Sequence, residues 1–208
     1  MGGQATRRLT AQAITTHRPN LIVLCGFGGA LTAEPPPTEV MVATACWRFD
    51  PAGPSLHPQP FPAAVPGLSE LLSHLQTQGV PAQAGNLITT PGVIRKHFIL
   101  PLVGGLAAPV LDLEGVAVAA AAREYNLPFL AVRAVTDGAG EDIQDFLARI
   151  INTHQGVPLA RLGAALLVAP QRLGYLLHLR SRARRAGLNL ARAISLILEY
   201  LSGSRDFI

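Results

Sequence analysis

Apolar and polar positions along this chain follow two rhythms, and the shifts between them mark out strands and helices. Residues 4–17 read as a helix that Pro19 ends, since the residue before a proline is steered away from helical backbone angles. Leu21-Ile22-Val23-Leu24-Cys25 is a short unbroken apolar run that stops at glycines, the pattern of a parallel strand covered on both faces. Pro35-Pro36-Pro37 marks a loop before a second strand at 40–45. Residues 51–66 are proline-rich and without periodicity, which predicts a surface loop. A helix at 68–78, a strand at 86–90, a helical segment at 93–102 and a strand at 109–113 are expected next. A helix at 115–125 and a strand at 129–135 follow, and from Asp142 onward the pattern is helical.

Strands alternating with helices of this length imply an α/β fold with a largely parallel sheet and right-handed crossovers. In such sheets ligands bind at the carboxyl ends of strands. Three predicted strand ends carry chemistry there: Gly26-Phe27-Gly28-Gly29, Asp112-Leu113-Glu114 and Thr136-Asp137.

Composition narrows the class. With 49% hydrophobic and 14% charged residues, a large share of the chain must be buried. No apolar run reaches the ~18 residues of a spanning helix. The most apolar stretch, Phe98 to Ala122, is broken by Gly104, Gly105, Pro109, Asp112 and Glu114. The first residues lack the apolar segment of a signal peptide, so cytoplasm is the expected location. Cys25 and Cys46 form neither a metal spacing nor a disulfide framework and are expected as small buried hydrophobes. Six histidines are scattered singly, and none is taken as a metal ligand. The net charge of +4 rests almost wholly on arginine, Lys96 being the only lysine. Arg172, Arg180, Arg182, Arg184, Arg185 and Arg192 stand beside Leu173, Leu176, Leu177, Leu179, Leu188 and Leu190 near the C-terminus. That pattern fits a surface helix with a solvated face, or a basic amphipathic helix on an anionic membrane or a partner. Nucleic acid is not indicated, because aromatics are 5% of the chain and none interleave with these arginines.

Read as residues alone, the acids stay ambiguous. An acid at a helix N-terminus gains about 0.3–1 kcal/mol from the helix dipole, so Asp112 and Glu114 are equally readable as caps. Asp137 is likewise readable as a turn or N-cap residue.

Taken together, the two acidic segments are more specific. Asp112-Leu113-Glu114 at a helix start is followed, some twenty residues on, by Pro128-Phe129-Leu130-Ala131-Val132-Arg133-Ala134-Val135-Thr136-Asp137. This resembles the nucleoside phosphorylase and nucleosidase family, whose signature is an acidic-Met-Glu segment and then a strand of the form Pro-Phe-x-x-x-Arg-x-x-Ser-Asp. Gly26-Phe27-Gly28-Gly29-Ala30-Leu31 sits at the family's glycine loop, and the stretch from Gly85 to Ile94 at the strand lining its base pocket. The resemblance spans about residues 1–150. It implies a three-layer α/β/α fold with a central, mostly parallel mixed sheet. Residues 1–160 would form that core, and residues 161–208 a helical C-terminal extension packed on the same domain.

The implied chemistry is cleavage of the N-glycosidic bond of a purine nucleoside through an oxocarbenium-like sugar. Adenine leaves poorly until N7 is protonated, so a carboxylic acid there acts as general acid, worth about 10²–10⁴-fold. By resemblance that acid is Asp137, holding its proton through burial or a bond that favours the neutral form. Glu114 resembles the carboxylate that accepts the ribose 2′- and 3′-hydroxyls and favours positive charge growing on the sugar. Leu113 would pack under the ribose. Gly28, Gly29, Phe27, Val93, Ile94 and Thr136 are the remaining substrate-binding candidates. Arg133 reads as structural, pairing with an acid of its own layer. The resemblance implies no cofactor and no metal; inorganic phosphate is a co-substrate if the enzyme is a phosphorylase, and water replaces it in a nucleosidase.

The chain departs from the family at three places. Phe27 stands where relatives carry a small hydroxyl residue near phosphate or the nucleophilic water, leaving the backbone N–H groups of Gly28 and Gly29 for that contact. Val93 replaces an aromatic that stacks on the base. Met1-Gly2-Gly3 resembles the middle of the family fold, so the strands before its first long helix are expected to be missing. A reading frame that opens upstream and a natural short form both account for this. The tail, with Asp112-Leu113-Glu114-Gly115-Val116-Ala117, most resembles the hopanoid-associated phosphorylase subgroup, held to release adenine from an adenosyl-lipid. The expected function is therefore adenine release from a 5′-substituted adenosine, by phosphorolysis or hydrolysis. Two alternatives stand: a methylthioadenosine/adenosylhomocysteine nucleosidase, and a nucleoside-binding protein whose catalysis has degraded. A homo-oligomer is implied, with peripheral membrane contact through the C-terminal helices if the substrate is a lipid.

Overall fold

The computed structural model describes residues 2–61, 67–141 and 172–203. Helix α1 (Gly2–His17) leads into β1 (Ile22–Ala30), β2 (Val40–Asp50), β3 (Ser55–Gln59), α2 (Leu68–Thr77) and β4 (Ala82–Thr89). Two short 3-10 turns, Lys96–Phe98 and Leu100–Leu102, precede β5 (Pro109–Asp112), α3 (Gly115–Glu124), β6 (Phe129–Asp137) and α4 (Arg172–Gly203).

The sheet runs β3-β2-β4-β5-β1-β6, and β2 also pairs with β6, so five strands curl back on themselves. The pairs β1–β6, β2–β4 and β4–β5 are parallel; β1–β5, β2–β3 and β2–β6 are antiparallel. Each face has its own core. On one, Val118, Ala119 and Ala122 of α3 pack on Met41, Leu87, Val110, Phe129 and Ala131, with α1 lying outside α3. On the other, Leu71 and Leu75 of α2 and Ala193, Ile197 and Leu201 of α4 cover Val40, Val42, Leu130 and Val132. Alternate residues of β6 thus feed opposite cores, the period-two consequence of a strand covered on both sides. The three-layer mixed α/β fold of the sequence analysis is the observed one.

Several local expectations shift. β1 does not stop at its glycines but runs through Gly26, Gly28 and Gly29 to Ala30. The proline-rich stretch expected as surface loop contains β3, which pairs Ser55–Gln59 with the far half of β2. Pro58 is tolerated because β3 is an edge strand. Residues 62–66 of that stretch, and the helical pattern expected over 142–171, lie outside the described residues. The segment 93–102 condenses into the two 3-10 turns, whose second contains Pro101.

Of the two cysteines, Cys46 is buried as expected, but Cys25 is exposed, on the face of β1 that α4 covers only in part. Burial, reinforced by the negative charge of Asp112, pushes the Cys46 thiol up to about 12. A thiol-specific reagent at pH 8 should accordingly label Cys25 alone in the folded protein and both cysteines after unfolding. Equal labelling of the two in native buffer would contradict this packing.

Candidate active site

The carboxyl ends of β1, β5 and β6 meet. Gly29 is in register with both Leu111 and Asp137, and Thr89 at the end of β4 with Asp112. The glycines make this convergence possible. A Cβ on Gly29 would stand 2.6 Å from Asp137 Oδ2, one on Gly26 2.6 Å from the Arg133 guanidinium, and one on Gly28 2.8 Å from the Leu111 carbonyl. Any side chain at these positions would push the site apart.

Beneath the cleft lies a buried ion pair. Arg133 Nη2 donates to Asp112 Oδ2 at 2.5 Å, the two side chains being 3% and 1% exposed. The same Oδ2 accepts from the backbone N–H of Gly115 at 2.8 Å, while Oδ1 accepts from the Thr89 hydroxyl at 2.6 Å. Thr89 Oγ1 in turn accepts from the N–H of Val116 at 2.9 Å. Two N–H groups at the start of α3 are thereby satisfied by Asp112 and Thr89. Glu114 occupies the N-cap position of α3 but makes no side-chain capping bond. Its carboxylate faces the cleft with no hydrogen bond to a described residue. The ambiguity between cap and functional acid resolves residue by residue: Asp112 caps and Glu114 does not.

Asp137 is held differently. Its Oδ2 lies 2.6 Å from Lys96 Nζ, and Oδ1 accepts from the Thr136 hydroxyl at 2.8 Å. Lys96 Nζ also donates to the Gly138 carbonyl at 2.6 Å. The side chains of Lys96 and Asp137 are 4% and 14% exposed, so this is a second buried pair, at the cleft wall. The sequence expectation had Asp137 keep its own proton. The structure sets Lys96 against that carboxyl group, a neighbour the sequence reading did not include.

The cleft encloses about 430 Å³. All nine candidates from the sequence line it: Asp137, Glu114, Leu113, Gly28, Gly29, Phe27, Val93, Ile94 and Thr136. Thr90, Lys96, Leu111, Asp112, Leu179 and Ala183 complete its wall. Lys96 is the functional candidate that the motifs missed. A signal for it existed, since it is the one lysine in a chain that otherwise uses arginine for every strong cation. Among the described residues no group of three His, Cys, Asp or Glu gathers as a metal site. A second hollow, of about 450 Å³ and lined by Ile14, Thr15, Arg18, Pro19, Tyr125 and Leu127, holds a cation but no acid.

Residues 1–162 match the family described as the phosphorylase superfamily. The chain belongs to that superfamily. Membership places it as an enzyme among the nucleoside phosphorylases and nucleosidases. No curated protein matches it in sequence. Among solved structures it is similar to a methylthioadenosine/adenosylhomocysteine nucleosidase from Neisseria meningitidis, in complex with methylthio-immucillin-A. The identity is 16% and the TM-score 0.65, over 94% of this chain and 76% of that one. A methylthioadenosine nucleosidase from Weissella paramesenteroides, so described provisionally, aligns at 23% identity and TM-score 0.54, over 69% and 68% of the two chains. Futalosine hydrolase of Helicobacter pylori aligns at 18% and 0.55, over 68% and 64%. At these identities the likeness is one of fold. The chain spans 64–76% of the length of these superfamily structures.

The two acids of the Asp112-Leu113-Glu114 segment should separate in a stability measurement. Arg133→Met leaves Asp112 charged and unpaired in the interior and should cost about 3–5 kcal/mol in urea unfolding. Glu114→Gln removes no bond and should cost about 0.5 kcal/mol or less. Comparable losses would mean that Glu114 has a structural role of its own.

Proposed function

We propose that the cleft cleaves the N-glycosidic bond of a 5′-substituted adenosine and releases adenine. Asp137 delivers a proton to N7 of the base, and Glu114 accepts the ribose 2′- and 3′-hydroxyls. The observation that carries this reading is the single cleft into which both acids open, one from the end of β6 and one from the start of α3. Glu114, unspent on the helix, keeps its lone pairs for two hydroxyl donors, and its charge gains worth as the sugar becomes cationic. Thr136 donates to the Asp137 carboxylate, and Gly29 leaves the room it occupies.

The 5′-substituent is apolar in this reading. Phe27, Val93 and Leu113 are exposed in the cleft, Phe27 by 52%, beside Leu179 and Ala183 of α4. Such a wall would bury hydrocarbon at about 25 cal/mol per Å². A lipid-linked adenosine of the hopanoid-precursor type and a small thioalkyl group both satisfy it. The lipid reading gains support from the outer side of α4, where Arg180, Arg184, Arg185 and Arg192 are exposed around Leu188 and Leu198. That face suits peripheral contact with an anionic membrane. Among the described residues no helix is long and apolar enough to cross one. Exposed Leu9 is a further apolar site that a second copy in a homo-oligomer would cover.

The test is a panel of 5′-substituted adenosines, with and without phosphate, read by chromatography of free adenine. Adenine is expected from wild type. Phosphate dependence would identify a phosphorylase, and its absence a nucleosidase. Asp137→Asn should lower kcat by about 10²–10⁴-fold. Folded protein that binds these nucleosides but releases no adenine would overturn the catalytic reading in favour of a binding protein.

A further inference from the structure

Lys96 is unusual in three ways. It is the only lysine in 208 residues, its side chain is 4% exposed, and its ammonium sits against the carboxylate assigned to leaving-group protonation. Removing an ammonium from water is costly, and an apolar residue would fill the same space without that cost. Its closest contacts are to Asp137 and Gly138. Nζ lies 2.6 Å from Asp137 Oδ2 and donates at 2.6 Å to the carbonyl of Gly138, pinning the turn that follows β6. Thr136 donates to the other oxygen of Asp137 at 2.8 Å, so the carboxylate is gripped at both ends. An ammonium at 2.6 Å is a proton donor within direct reach of that carboxyl group.

We propose that Lys96 supplies the proton that Asp137 passes to the leaving base. The inference rests on the functional reading above and deepens it. As the C1′–N9 bond breaks, its electron pair goes to the base. N7 gains a proton from the Asp137 carboxyl, which takes one from Nζ across 2.6 Å. Asp137 ends as it began, a carboxylate, and Lys96 is left as a neutral amine. The nucleophile, water or hydrogenphosphate, adds oxygen to C1′ and gives up the proton that restores Nζ. Atoms and charge balance over the cycle without a further reactant. Lys96 acts through Asp137 and is a positioning and proton-supplying residue. Lysine suits this where arginine does not, because a guanidinium is never deprotonated in a protein. A chain that uses arginine for every other strong cation keeps an amine here.

Two substrates that share one 5′-group separate this role from a structural one. The first is whichever 5′-substituted adenosine of the panel wild type cleaves, and the second the 4-nitrophenyl riboside with the same 5′-group, whose phenolate leaves without protonation. Lys96→Arg keeps the charge and Lys96→Met removes it. Both variants should lose adenine release by about 10²-fold or more in kcat, with little change in KM, while nitrophenolate release falls far less. Recovery of adenine release by Lys96→Arg would overturn the inference, since a charge that merely holds Asp137 is one arginine can supply. Equal losses on both substrates would overturn it too. Because the chain has one lysine, ¹⁵N-lysine labelling gives a single Nζ resonance that needs no turnover. That signal should move on adding adenine and in Asp137→Asn, and a signal indifferent to both would overturn the pairing itself. Wild type that releases adenine from no member of the panel would sink the functional reading, and the inference with it. Wild type active on both, with variants equally slowed on both, sinks the inference alone.

Discussion

The site depends on one buried ion pair. Arg133 projects from the middle of β6, Asp112 ends β5, and their contact fixes how those two strands lie on either side of β1. Charges this deep are strongly destabilising when unpaired, and here the lone pairs of Asp112 are shared among a guanidinium, a hydroxyl and a backbone N–H. The pair therefore also sets where α3 begins, through Gly115 and Thr89. Once α3 begins there, Glu114 is placed at the mouth of the cleft with its carboxylate unspent. Once β6 is anchored at Arg133, its end four residues on brings Asp137 to Gly29. Both candidate catalytic acids take their positions from a residue pair that lies below them.

Glycine does the complementary work. Gly26 leaves room for the Arg133 guanidinium and Gly29 for the Asp137 carboxylate. The Gly26-Phe27-Gly28-Gly29 run, read in sequence as the end of a strand, is a strand whose missing side chains make room for the residues that build the site. Between the glycines, Phe27 points the other way, and the nearest ring atom is 3.6 Å from a Cβ placed on Gly187 of α4. One short segment thus builds the polar floor with its glycines and an apolar wall with its phenylalanine.

Much of this is legible in the sequence. The apolar runs gave the order of strands and helices, because a strand covered on both faces must be apolar along its length. The two acidic segments, with the glycine loop and the stretch before Ile94 that the family resemblance added, supplied the nine cleft residues. What periodicity could not give was pairing. β3 hides in a proline-rich stretch because its partner, the far half of β2, is a tertiary fact. Nor could spacing say which of Asp112 and Glu114 caps α3, since either carboxylate reaches the helix start. The choice is made by Arg133, twenty-one residues away, which claims Asp112. Cys25 was misjudged for a similar reason, its strand face being only partly covered by a helix far along the chain.

Lys96 shows how composition can carry information that motifs do not. In an arginine-rich chain the default cation is arginine, and it appears at the buried pair with Asp112, at the exposed contact between Arg7 and Glu124, and between Arg182 and Glu141. Each of those contacts asks only for a fixed positive charge. The pair with Asp137 lies at the cleft wall, where the proposed chemistry asks for a proton that can leave, and there the chain has an amine. Two buried cations thus stand one layer apart with different duties. Arg133 cannot lose its charge and holds the architecture; Lys96 can, and stands beside the acid to which we assign leaving-group protonation.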